Sequence, residues 1–233
     1  FFAVRKTIIE QVGVLCEEYD GAQDYDFILR CTEASRKIAH IPRILYHWRI
    51  HNSSTADNPS SKLYAYEAGL HALEAHLKRM NTIGKVTMRS DYGFYDIEYP
   101  LTDTPLVSII IPNRDQSDSL IKCIDSIINK STYPSYEIIV VENNSCEEKT
   151  FNTYKKLEQK GVTIVTYPHK TFNYSAINNY GVKFAHGKYL LLLNNDIEVI
   201  TPDFIEKMLG NCQRKEVGIV GAKLYYPDNT IQH

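Results

Sequence analysis

From residue 106 onward, uninterrupted runs of β-branched and aliphatic residues alternate with segments of helical period, and few folds accommodate that rhythm. Residues 107–111 form an apolar run broken only by Ser108, so a strand built from them presents apolar atoms on both faces. A helical repeat follows at Leu120, Cys123, Ile124 and Ile127, with Ser117 or Asp118 able to cap it. The pattern continues as strand 138–141, helix 147–159, strand 162–166, helix 175–185, strand 189–193, a helix opened by Thr201 and Pro202, and strand 218–220. Continuous apolar strands separated by amphipathic helices predict an α/β fold with a mostly parallel sheet and helices on both faces. In such sheets ligands bind beyond the carboxyl ends of the strands.

The preceding part of the chain lacks that alternation. It predicts a helix near residues 5–12, another over 24–37, an aromatic and basic strand over 44–50, and an amphipathic helix within 59–80 through Leu63, Tyr66, Leu70, Leu73 and Leu77. Residues 82–104 read as a connector with a short strand or two. A chain of 233 residues with 43% hydrophobic content can fill one sizeable α/β core or two small ones. Its 26 basic and 28 acidic residues leave a net charge of -2, which argues against nucleic-acid binding driven by counterion release and favours a small-molecule ligand. Five cysteines without a CxxC pair give no zinc or redox signature and point to a reduced, cytoplasmic setting. No run approaches the ~20 apolar residues that span a bilayer. The chain opens on Phe1 and stops at His233 without closing an element, the pattern of a piece of something longer.

Three predicted strands end abruptly in residues that are poor in strands: Pro112, Asn113, Arg114 and Asp115; Glu142, Asn143, Asn144 and Ser145; and Asn194, Asn195 and Asp196. These residue types also suit ordinary turns, but in a parallel sheet all three groups fall at one edge. No glycine follows residues 107–111, so neither the GxGxxG turn of a dinucleotide fold nor a GxxxxGK[ST] phosphate loop is present there. The glycine-rich opening of sugar nucleotidyltransferases is missing from the same place.

The segments PLVSIIIPNRDQ, EIIVVENNS and FNYSAINNYGVKFAHGKYLLLLNNDIEVI resemble, in order and spacing, the opening half of a glycosyltransferase family 2 domain. The resemblance implies a GT-A fold, a nucleotide-sugar donor, a divalent cation (Mn or Mg) and inversion at the anomeric carbon. It places Pro112 and Asn113 at the base and ribose, with Glu142 contacting either, and extends the donor-binding set to Asp115, Asn144, Asn173, Asn194 and Asn195. Asn194 and Asp196 stand at the outer places of the family's DxD motif, so Asp196 would bind the cation. An Asn where that motif has its first Asp leaves one carboxylate rather than two. Asn178 and Asn179 also match the family, and capping of the helix at 175–185 by Ser175 is the structural alternative for this segment.

Residues 21–27 (GAQDYDF) and the Tyr46, His47, Trp48, Arg49, His51 group resemble features from the second half of such a domain, although here they come first. By the resemblance Asp24 is the general base, which must reach the acceptor hydroxyl and take its proton; His47, Arg49 and His51 would complete the metal and diphosphate surroundings. Capping of the following helix is the plain alternative for Asp24 and Asp26. The reversed order leads to three segments: residues 1–56 as the acceptor-side end of one domain, 57–104 as a linker with an amphipathic helix, and 105–233 as the donor-binding start of the next. The complementary halves further predict a circularly permuted GT-A-like body, formed in one chain or by swapping in a homodimer. The function implied is transfer of a sugar to a saccharide or lipid-linked acceptor in bacterial cell-surface polysaccharide synthesis, at the inner face of the membrane. The alternative class is a non-catalytic nucleotide-binding or scaffold module, with a nucleotidyltransferase more distant.

Overall fold

A computed structural model describes residues 2–47 and 62–232. The chain divides into two compact units, Phe1–Pro100 and Leu101–His233.

In the first unit, helices α1 (Lys6–Val12) and α2 (Gln23–Ala34) precede α3 (Leu63–Arg79) and a hairpin of β1 (Lys85–Met88) and β2 (Tyr95–Glu98). Leu73, Leu77 and Val86 form its apolar centre, with Tyr25, Leu29 and Ile97 packed against them. Leu73 and Leu77 sit one turn apart on α3, so one face of that helix meets both α2 and the hairpin. The helix predicted within 59–80 falls inside this unit, and the short strands expected in the 82–104 connector are paired here as a hairpin. Asp26 is fully buried, paired with Arg30 at 2.7 Å and facing Arg79 at 3.5 Å. The expected strand over 44–50 is not found in its described part: residues 44–47 are irregular and Ile44 is 88% exposed. Trp48, Arg49 and His51 lie outside the described residues.

The second unit contains a four-stranded, wholly parallel sheet of β3 (Val107–Asn113), β4 (Tyr136–Glu142), β5 (Thr163–Thr166) and β6 (Tyr189–Leu192), in the order β5-β4-β3-β6. Between and after the strands run α4 (Ser117–Lys130), α5 (Glu148–Glu158), α6 (Tyr174–Val182) and α7 (Phe204–Cys212). Alternation along the strands divides the core in two. Ile109, Ile111, Ile138 and Val140 meet Leu120, Ile124, Ile127, Leu157, Ile205 and Leu209 on one face, whereas Ile110, Ile139 and Val141 meet Ile177 of α6 on the other. Ile109, Ile110 and Ile111 are all fully buried, as a strand covered on both sides requires. Gly181 lets α6 lie close, since a Cβ there would stand 2.7 Å from methyl groups of both Ile110 and Val141.

The expected strand at 218–220 is absent: the segment is irregular and Ile219 is 89% exposed. A strand exists only by pairing, and among the described residues no strand pairs with 218–220.

Candidate functional site at the carboxyl edge of the parallel sheet

The parallel register fixes where the polar tips fall. Asn113 is the last residue of β3 and lies directly opposite Glu142, the last residue of β4. The Asn113 carbonyl accepts the Asn143 N–H at 2.9 Å, carrying the pairing one residue beyond the strands. The Asn195 side chain, three residues past β6, donates to Asn113 Oδ1 at 2.6 Å. The tips of β3, β4 and β6 therefore meet at one edge, with Asp196 exposed beside Asn195.

Two of these side chains are buried polar groups whose bonds run inward. Asn113 Nδ2 donates to the Asp115 carbonyl at 2.8 Å and to the Tyr154 hydroxyl at 2.7 Å. Glu142 is buried and accepts the backbone N–H of Ser145, which closes the loop after β4 onto the strand. Pro112 is half-buried within β3.

Asp115 and Asn144 shape the loops themselves. Both have positive φ, 50° for Asp115 and 57° for Asn144, a region that Asp and Asn enter more readily than most residues. Helix α5 has no side-chain cap of its own. The Asp115 carboxylate supplies one from the neighbouring loop, accepting the N–H groups of Cys146 at 2.9 Å and Glu147 at 3.0 Å. Hydrogen bonds from the Glu147 and Cys146 N–H groups hold the Asp115 carboxyl below the ordinary aspartate value. Asn144 donates to the His169 carbonyl at 2.8 Å, tying the β4 loop to the segment after β5.

Asn173 caps α6, accepting the Ala176 N–H at 2.9 Å, so the cap falls two residues earlier than Ser175. The next residue, Tyr174, donates its hydroxyl to Asn194 Oδ1 at 3.3 Å. Asn178 is buried on the same helix; Nδ2 donates to the Tyr174 carbonyl, while Oδ1 has no hydrogen-bond partner among the described residues. Beneath the β6 loop the Cys123 thiol points at the Asn194 carbonyl, 3.7 Å away, and burial pushes that thiol up to about 12. It packs as an inert apolar group.

Among the described residues, no group of three or more His, Cys, Asp or Glu side chains is arranged to hold a metal ion. What the edge offers is the exposed carboxylate of Asp196. That fits a hard cation which takes most of its oxygens from water and a substrate diphosphate, and would not fit a cation needing a cage of protein ligands. His51 lies outside the described residues.

In the first unit, Asp24 and Asp26 separate clearly. Asp26 is consumed by Arg30 and Arg79, whereas Asp24 is exposed in the first turn of α2 and accepts the N–H of Tyr25 at 2.9 Å. Neither side chain caps the helix, whose N-cap is Ala22.

Tyr154 is not marked as a site residue by any sequence pattern, whereas Ser145 is among the polar residues that end the second predicted strand. The aromatic ring of Tyr154 sits at a core position of α5, and only its hydroxyl reaches the edge. No described helix is long and apolar enough to cross a membrane.

A wholly parallel sheet whose carboxyl edge gathers Asn, Glu and Asp side chains from three strands, without a glycine-rich phosphate loop, defines an α/β protein of the GT-A type. Residues 108–232 match the family described as Glycosyl transferase family 2, and the chain belongs to it. It is 40% identical over its whole length to the O-antigen biosynthesis protein RfbC of Myxococcus xanthus, and 43% identical over 97% of its length to the Uncharacterized protein y4gI of Sinorhizobium fredii (strain NBRC 101917 / NGR234). The chain spans only 18% and 25% of the length of these two curated relatives. Among solved structures, the mannosyltransferase PcManGT from Pyrobaculum calidifontis in complex with GDP-Man and Mn2+ is 16% identical, with a TM-score of 0.48 covering 73% of this chain and 47% of that one.

Proposed function

We propose that residues 105–233 bind the nucleotide-sugar donor of an inverting glycosyltransferase that builds a cell-surface polysaccharide. The observation that carries this reading is the meeting of three strand tips, held by the Asn195–Asn113 bond and the Asn113–Glu142 register. Family membership and likeness to an O-antigen biosynthesis protein support the substrate class.

In this reading the loops after β3 and β4 cradle the nucleotide, with Pro112, Asn113, Asp115, Glu142 and Asn144 forming the wall on the base and ribose side. Asn173, Asn194 and Asn195 frame the diphosphate side. Asp196 holds a divalent cation, Mn or Mg, which when bound neutralises charge on the departing nucleoside diphosphate. Asp24 is the general base of the domain that residues 1–56 close. Its exposed carboxylate is free to take the proton of an acceptor hydroxyl, which Asp26, locked between two arginines, is not. The acceptor is a saccharide or a lipid-linked saccharide, met at the inner face of the membrane.

Asp196→Ala in the intact protein tests the cation role: transfer is lost while the thermal midpoint stays in place, and retained transfer refutes the assignment. A second reading, a nucleotide-binding module without catalysis, is favoured by Asn194, whose side-chain oxygen is engaged by Tyr174 and which leaves one carboxylate where the family motif has two. That module would bind nucleotide with no dependence on Mn2+.

A further inference from the structure

The Asn113 side chain has a forced orientation, and a directed chain of hydrogen bonds follows from it. One Nδ2 hydrogen points at the Asp115 carbonyl, 2.8 Å away, and a carbonyl can only accept. That partner alone fixes the amide, and Oδ1 must be the atom that faces Asn195. Asn195 must then present Nδ2, as it does at 2.6 Å. The second Nδ2 hydrogen of Asn113 goes to the Tyr154 oxygen at 2.7 Å, which makes that hydroxyl an acceptor and leaves its own proton for Ser145 Oγ at 3.3 Å. Ser145 Oγ also accepts the Asp115 N–H at 2.9 Å.

Apart from the local Asn113–Asp115 bond, each bond in this chain joins different elements. Tyr154 belongs to α5, Ser145 to the β4 loop, Asp115 to the β3 loop and Asn195 to the β6 loop. Asn113 is 2% exposed and Tyr154 is 4% exposed, so water cannot replace a lost partner without opening the edge. Burial raises the Tyr154 hydroxyl above the ordinary tyrosine value, keeping it protonated and able to serve both neighbours.

We propose that Tyr154 is a positioning residue for the site: through Asn113 it sets the place of Asn195, and with it the adjoining Asp196, relative to the β3 and β4 loops, without touching the donor itself. This rests on the reading of the edge as a donor pocket. The consequence is specific. Loss of the hydroxyl leaves the Asn113 amide with an unmet buried donor and lets the β6 loop drift, while the pocket wall at Glu142 keeps its own bond to Ser145. The metal-dependent part of the function then suffers most, together with the diphosphate contacts of the β6 loop, and the base and ribose contacts at the β3 and β4 loops do not.

The test uses Tyr154→Phe, which deletes one oxygen and keeps the ring, and Asn195→Ala, which cuts the same chain from its surface end where folding is not at risk. Two readouts separate this proposal from the functional reading. The first needs no nucleotide: in amide proton–nitrogen spectra of the intact protein, the Asn195 side-chain resonances shift in Tyr154→Phe, and an unmoved Asn195 signal overturns the proposal. The second is the increment in UDP, GDP or dTDP affinity produced by Mn2+. It falls about tenfold in Tyr154→Phe, the scale of one buried donor left unpaired, while metal-free affinity falls less. The double variant loses no more than the larger single one, because both changes break one chain. Multiplying losses, or equal losses with and without Mn2+, overturn the relay. If the unsubstituted protein binds none of the three nucleotides, the functional reading fails, and the Asn195 resonances still decide whether the hydroxyl governs that loop.

Discussion

Gly181→Ala separates two physical effects that predict opposite signs. On helix propensity alone, alanine within α6 should stabilise by about 0.5–1 kcal/mol. Close packing against the sheet opposes that gain and outweighs it. The added Cβ would stand 2.7 Å from methyl carbons of both Ile110 and Val141, whereas carbon atoms rest at about 3.5–4.0 Å. Helix α6 would have to withdraw by about 1 Å, because neither neighbour can yield: both are fully buried, β-branched and fixed on adjacent strands. Overpacking of this kind costs about 1–3 kcal/mol, so the net expectation is destabilisation, within about 0–2.5 kcal/mol. The helix also carries Asn173 and Tyr174 at its start, so its withdrawal pulls the Tyr174 hydroxyl from Asn194. Urea unfolding of the two proteins side by side reads the sign directly, with an unchanged slope marking a true stability difference. An alanine variant that unfolds at higher urea than the native protein refutes the close-packing argument.

Other expectations follow from single groups. Asp26→Ala strands two arginine side chains and should destabilise the first unit by about 3 kcal/mol, near the lower end for a broken buried pair because Arg79 keeps Glu33 and Arg30 keeps the carbonyls of Val12 and Val14. Asp24→Asn, at an exposed position two residues away, should change stability by less than about 0.5 kcal/mol while abolishing transfer, and a large stability loss would mark Asp24 as structural. Asp115 has a folded value below its ordinary 3.8, so its contribution is fully present above that value and disappears as pH falls through the lower folded one. The stability gap between the native protein and Asp115→Asn should accordingly be flat at neutral pH and close only in strong acid; a gap that closes near pH 6 contradicts the cap.

The sheet was legible because its strands are buried on both faces. Ile109, Ile110 and Ile111 in succession suit a strand covered on both faces, and the positions of Leu120, Cys123, Ile124 and Ile127 mark the side of α4 that covers Ile109 and Ile111. The polar tips were legible for the same reason, since each interrupts an apolar run at a place the topology assigns to one edge. Residues 218–220 and 44–47 misled because β-branched and aromatic composition records only suitability for a strand, and a strand forms only along a neighbouring edge. The inner bonds of the site could not be read at all. Tyr154 and Asn195 lie 41 and 82 residues from Asn113, and nothing in either local sequence distinguishes a ring buried for packing from one that also delivers a hydroxyl to a loop. The pairing of Asp26 with a second arginine was equally hidden, because α3 brings Arg79 from 53 residues downstream of it.

Calorimetric titration of UDP, GDP and dTDP into the protein, each with and without Mn2+, bears most directly on the claim that the carboxyl edge of this sheet holds a nucleotide diphosphate through a cation. One of the three should bind, more tightly with Mn2+, and Asp196→Ala should remove the metal-dependent increment alone. Binding that ignores both Mn2+ and Asp196, or no binding by any of the three, contradicts the account.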